Sequence, residues 1–214
     1  MKEDTLIKNF STELKPFRTS DSLPVFLLKW CGYIGMILII AFLLLPARED
    51  FNLKLESLSY HLANVLWLVA SLTSGIAFYF SSFPQKMNKA IWMPVVFSLA
   101  VLLLLVITNL NSPTDFSVEL SHEMSLWRGR CGIIILTIAT IHAAFLGRWA
   151  RNMAPRNSAM TGMWSALSAS SMGCLFMQVV CTHENSLHLL IWHFLPLVAI
   201  CFAGHKLGQR YLRW

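Results

Sequence analysis

With 214 residues, of which 56% are apolar and only 13% charged, the chain is too apolar for a water-soluble domain. Its net charge of +6 would suit a nucleic-acid partner in a soluble protein. Here the charges lie between long apolar stretches, so the basic excess reflects membrane topology, and no nucleic-acid partner is expected.

The chain opens on a tail, residues 1–24, in which Leu6, Ile7, Phe10, Leu14 and Phe17 recur at helical spacing with Lys8, Glu13 and Lys15 between them. Pro16 disfavours the helix beyond Lys15. The apolar stripe can lie in the lipid interface or dock in a groove on a protein partner. Four acids, Glu3, Asp4, Glu13 and Asp21, weaken the lipid alternative because cytoplasmic leaflets are anionic, and favour the protein.

Residues 25–214 then hold six apolar stretches, at 25–45, 59–83, 91–110, 131–149, 160–181 and 187–207. Each is close to the ~20 residues a transmembrane helix needs, and helices satisfy every backbone group where lipid cannot. The expected fold is an all-α integral membrane protein, a six-helix bundle with a short amphipathic segment before it. The first stretch has no small-residue cleavage site after it and reads as a retained helix. The fifth is crowded with small residues (Gly162, Ser165, Ala166, Ser168, Ala169, Ser170, Ser171, Gly173), which lets neighbouring backbones approach and predicts a central position.

Thirteen of the seventeen basic residues fall on one side of this pattern: in the tail, at Lys29, in the second–third and fourth–fifth loops, and at the C-terminus. The other side holds Arg48, Lys54, Arg128 and Arg130 against seven acids. By the positive-inside rule both termini are cytoplasmic, and the expected location is the bacterial inner membrane, crossed several times.

Two cysteines are placed to meet. Cys131 opens the fourth stretch and Cys181 ends the fifth, and Arg156, near the centre of the intervening turn, is 25 residues from each. Antiparallel neighbours would return both thiols to the same depth on the extracytoplasmic side, within the reach of a disulfide or a shared metal. That compartment is oxidising in a bacterial envelope. His183, Glu184 and His188 flank Cys181, while His122, Glu123, Met124, Trp127 and Arg128 precede Cys131. Thiolate, imidazole and thioether together suit a soft ion such as copper(I), and Arg128 and Arg130 would favour a reactive thiolate. Cys31, Cys174 and Cys201 read as packing residues, and so do His142 and His205. The sequence carries no HExxH motif and no phosphate-binding glycine loop.

These features together resemble the NrsF family, negative regulators of the sigma F type. The likeness is carried by MAPRNSAMTGMWSALSASSMGCLFMQVVC, with Pro155, Gly162, Gly173 and Cys181 at matching positions, and by Trp192, Gly204, Gly208 and the closing YLRW. Glu123, Trp127, Arg128 and Cys131 match the family's second cysteine segment, and EDTLIKNFSTELKPFR is similar to its acidic-hydrophobic start. Where a second proline would follow the basic turn, this chain has Asn157 and Ser158. The resemblance implies a membrane-bound anti-sigma factor for an extracytoplasmic-function sigma factor, not an enzyme. The partner would be released under heavy-metal or thiol stress sensed by two extracytoplasmic cysteines. The expected partners are that sigma factor, on the cytoplasmic side, membrane lipid, and a second copy of the chain. No obligatory cofactor is expected, only a sensed soft ion, copper or similar. Two rival classes are a quinone-linked thiol oxidoreductase, which lacks a CxxC relay, and a small soft-metal transporter, for which only Cys174, Cys201 and a few serines offer a path.

Overall fold

A computed structural model describes residues 22–84, 89–108, 129–183 and 185–212 of the protein. The regular structure among these residues is helical throughout, and six helices are long and apolar enough to cross a membrane. They are α1 (Leu23–Leu44), α2 (Leu58–Ser81), α3 (Met93–Thr108), α4 (Arg130–Ala150), α5 (Ser158–Val180) and α6 (Ser186–Tyr211). Their number and order agree with the sequence reading, and their ends differ by a few residues. The largest difference is in α6, which continues past the apolar stretch to Tyr211, with Gly204 and Gly208 packed against α5. The tail, with Leu6, Ile7, Phe10, Leu14 and Phe17, lies outside the described residues.

Local chemistry accounts for several helix ends. Pro24 occupies the first turn of α1, where its missing N–H removes one of the unpaired donors. Asn157 caps α5 by accepting from the Met160 amide at 3.1 Å, so the residue that replaces the expected proline does the work of starting the helix. Asn185 caps α6 in the same way through the Leu187 amide at 3.0 Å.

α5 is the axis of the bundle, packed by α2, α4 and α6, and most of its side chains are buried. Small residues make this possible. Ser71 of α2 donates to the Ser168 carbonyl at 3.0 Å, and Ser168 returns a bond to the Ser71 carbonyl at 3.1 Å. Thr161 donates to the Ser81 carbonyl at 2.9 Å, one end further along the same seam. Each interhelical bond of this kind contributes roughly 0.6–2 kcal/mol in lipid. On the other flank, Gly162 meets Gly204 and Gly208 of α6 backbone to backbone, and a methyl built on Gly204 would lie 2.5 Å from the Ala166 Cβ.

The outer surface has the opposite character. Leu28, Leu43, Leu44, Phe97, Leu104 and Phe202 face outward and are exposed, whereas Ser71, Ser74, Ser168, Ser170 and Ser171 are enclosed. Small polar groups inside and large apolar groups outside is the arrangement expected where lipid is the solvent. α1 joins the bundle through Phe26, Trp30 and Ile34, with the Trp30 indole seated over Gly75.

Candidate functional site

The starts of α4 and α6 and the end of α5 come together at one end of the bundle. Two glycines set the approach. Gly173 lets α5 press on the α4 backbone, where an added Cβ would lie 3.3 Å from the Ile135 Cα. Gly132, next to Cys131, accepts the Trp192 indole of α6, to which a Cβ would come within 3.0 Å. Both closures lie within about a turn or two of the cysteines, so they hold the helices at thiol-contact distance.

The result is a Cys131 Sγ to Cys181 Sγ separation of 3.3 Å, between residues fifty apart in sequence, with both residues buried and neither in a disulfide. Cys181 sits one residue past α5 with an extended backbone, held by its amide bonding to the Met177 carbonyl at 2.8 Å. Its sulfur lies 3.4 Å from His188 Nε2 and 3.4 Å from the His183 carbonyl oxygen. The Cys131 thiol donates to it and lowers its pKa, and despite the opposing effect of burial the adjacent imidazoles act in the same direction.

A fourth donor, absent from the sequence reading, completes the cluster. The side-chain donor atoms of Cys131, Cys181, His188 and His193 all lie within 4.8 Å of one another, and all four residues are buried. His193 was overlooked for a geometric reason. It follows His188 by five residues, and at ~100° per residue an α-helix would place the two about 140° apart. Residues Leu190–Phe194 instead form a turn of π-helix, whose wider i→i+5 repeat realigns them. Pro196 lies just beyond, and its ring and missing N–H disfavour an unbroken α-helix back to Trp192. Among the described residues neither His193 nitrogen has a hydrogen-bond partner, although the residue is 1% exposed.

The other candidates take varied places. His183 stands edge-on to His188, ring centroids 5.1 Å apart, and offers the thiol its carbonyl instead of its ring. Cys174 lies deeper, its thiol 3.8 Å from the His193 carbonyl. His142 is buried against Trp30 and Tyr33, as a packing residue would be. His122, Glu123, Met124, Trp127, Arg128 and Glu184 lie outside the described residues.

The α1–α2 connection folds over this end. The Arg48 amide bonds to the Val179 carbonyl at 2.9 Å, and the Tyr60 hydroxyl to the Gln178 carbonyl at 3.3 Å, so two of the last-turn acceptors of α5 are satisfied by this connection. Arg48 forks onto Asp50 at 2.6 and 2.8 Å, which lowers the Asp50 pKa. A cavity of about 210 Å³ runs beneath this cover from Lys54, Ser57 and Tyr60 to Cys181 and His193. The cluster therefore has a path to the surface.

The family model described as NrsF, Negative regulator of sigma F, matches residues 10–214. Comparison with curated proteins and with solved structures returned no match.

Proposed function

Since the chain belongs to the NrsF family, negative regulators of sigma F, we propose that it holds an extracytoplasmic-function sigma factor at the cytoplasmic face of the bacterial inner membrane. The partner is released when Cys131 and Cys181 react with a soft metal ion or an oxidant on the opposite side. The observation that carries the sensing half is the 3.3 Å approach of two buried thiols at the meeting of three helices. No catalytic role is assigned to any residue.

The mechanism is a two-state switch. Metal binding or disulfide formation draws the ends of α4 and α5 together and changes how α4, α5 and α6 pack. Because α5 touches α2, α4 and α6 along its length, a change at one end alters the surface at the other, where the amphipathic tail emerges. To take the partner from mostly held to mostly free requires about 5.5 kcal/mol of differential binding. A metal–thiolate set or a disulfide supplies energy of that order.

The test is capture of the sigma factor by the detergent-solubilised chain, with and without copper or diamide. Wild type should release its partner on treatment. Cys131→Ser and Cys181→Ser should each retain it, and the double variant should behave like either single one, as residues acting as a unit do. Full release from either single variant would show that the pair is not the sensor.

A further inference from the structure

We infer that the sensor is a four-donor Cys2His2 site, made by Cys131, Cys181, His188 and His193, that takes a divalent thiophilic ion of the zinc and cadmium class in tetrahedral coordination. This rests on the reading of Cys131 and Cys181 as the sensing pair, and it identifies the ligand of that pair and two further ligating residues.

Several observations converge on it. The four donor atoms form one group within 4.8 Å. Tetrahedral bonds of about 2.3 Å to sulfur and 2.0–2.1 Å to nitrogen place donors roughly 3.3–3.8 Å apart, so the cluster closes on an ion with only small side-chain motions. The thiols are 3.3 Å apart, far short of the roughly 4.6 Å that two sulfurs opposed across a linear ion would need at the same bond length.

Charge points the same way. Binding releases one proton from each thiol to solvent, and the two thiolates then balance a 2+ ion with neutral imidazoles completing the set. The resulting site is neutral, as enclosure at the end of an apolar bundle requires. His193 supplies independent support. Among the described residues His142 and His193 are both buried imidazoles with two unpartnered nitrogens, which is costly, but only His193 has a donor atom within 4.8 Å of the thiols, where a π-turn places it. Such turns recur where a helix serves a site. The cavity lined by Ser57, Tyr60, Cys181 and His193 gives the ion its access.

The ligands come from α4, from the end of α5 and from two positions on α6. An ion held by all four would tie three helices at one point, which neither a disulfide nor a two-coordinate ion would do.

Cobalt(II) and cadmium(II) titrated into the reduced, detergent-purified full chain provide the test. Cobalt should bind one to one with the intense visible bands of tetrahedral coordination and a near-ultraviolet thiolate-to-metal band, and zinc should displace it. Loss of a partner outside the coordination sphere lowers metal affinity by about 10–100-fold. His188→Gln and His193→Gln should each exceed that loss, while His142→Gln and Cys174→Ser should leave the spectrum unchanged. His193→Cys, which restores a donor, should recover binding with a stronger thiolate band and so exclude misfolding as the cause. An unchanged cobalt spectrum in His193→Gln would overturn the assignment. So would binding of copper(I) alone by the two cysteines, independent of both histidines. Absence of any metal binding by a chain that still captures its sigma factor would remove the metal site and leave the anti-sigma reading standing.

Discussion

Gly162→Ala tests the crossing of α5 and α6 directly. The added methyl would lie 2.8 Å from the Gly208 Cα and 3.1 Å from the Gly204 carbonyl carbon, and nearer still to the Gly204 oxygen. Carbon atoms rest about 3.5–4.0 Å apart, so the helices must part by about 1 Å. The obstruction is backbone and not a side chain that can swing away. Overpacking of this sort costs about 1–3 kcal/mol, against which alanine recovers about 0.5–1 kcal/mol of glycine's penalty within a helix. A net loss of about 1 kcal/mol, and at most about 2.5 kcal/mol, is expected. Gly35→Ala and Gly147→Ala are the controls, because nothing lies within 4 Å of a methyl at either position. They should be neutral or stabilising by up to about 1 kcal/mol. Reversible unfolding in mixed micelles titrated with dodecyl sulfate, followed by tryptophan fluorescence, measures the difference. If Gly162→Ala unfolds together with Gly147→Ala, the backbone contact is not what joins these helices.

Two further outcomes test the proposed docking element and the proposed topology. Replacing Leu6, Phe10 and Leu14 together by Asp should free the sigma factor and switch on its regulon while membrane insertion is unchanged, since the tail contributes no span. A regulon that stays silent would move the docking surface to the loops between helices. Glu49→Cys and Asn152→Cys place thiols at exposed positions on opposite ends of the bundle. An impermeant maleimide applied to spheroplasts should add label only to the first, and label on Asn152→Cys would invert the topology.

The spans were readable because lipid imposes a simple requirement: ~20 apolar residues in a row, interrupted by charge. The centrality of α5 was readable for a related reason. Its serines and glycines can be tolerated in such number only where other backbones come close, as the Ser71–Ser168 exchange and the Gly162 contact show. The meeting of Cys131 and Cys181 followed from equal distances to one turn, which needs no more than antiparallel packing. His193 is hidden in the sequence because a repeat of 3.6 residues per turn puts it off the His188 face, and only the π-turn brings the two together. A proline three residues after the histidine was the available signal. Similarly, the packing role of Gly204 and Gly208 is hidden in the sequence, because a glycine that packs and a glycine that terminates look alike until the neighbouring helix is placed.

The π-turn of α6 also works as a phase adjuster between two fixed points. Toward one end of the helix, Gly204 and Gly208 are keyed to Gly162; at the other, His188 and His193 are keyed to the thiols. An α-helix advances about 100° per residue, so an unbroken helix of the same sequence could satisfy one of these keys but would present the other about a quarter-turn away. The extra residue in the widened turn reconciles them. Deletion of Ile191 would therefore be felt along the helix, although it removes neither a proposed ligand nor a contact glycine. Any slippage of the widened turn along the helix would rotate one end against the other, which makes α6 a helix with two registers to keep.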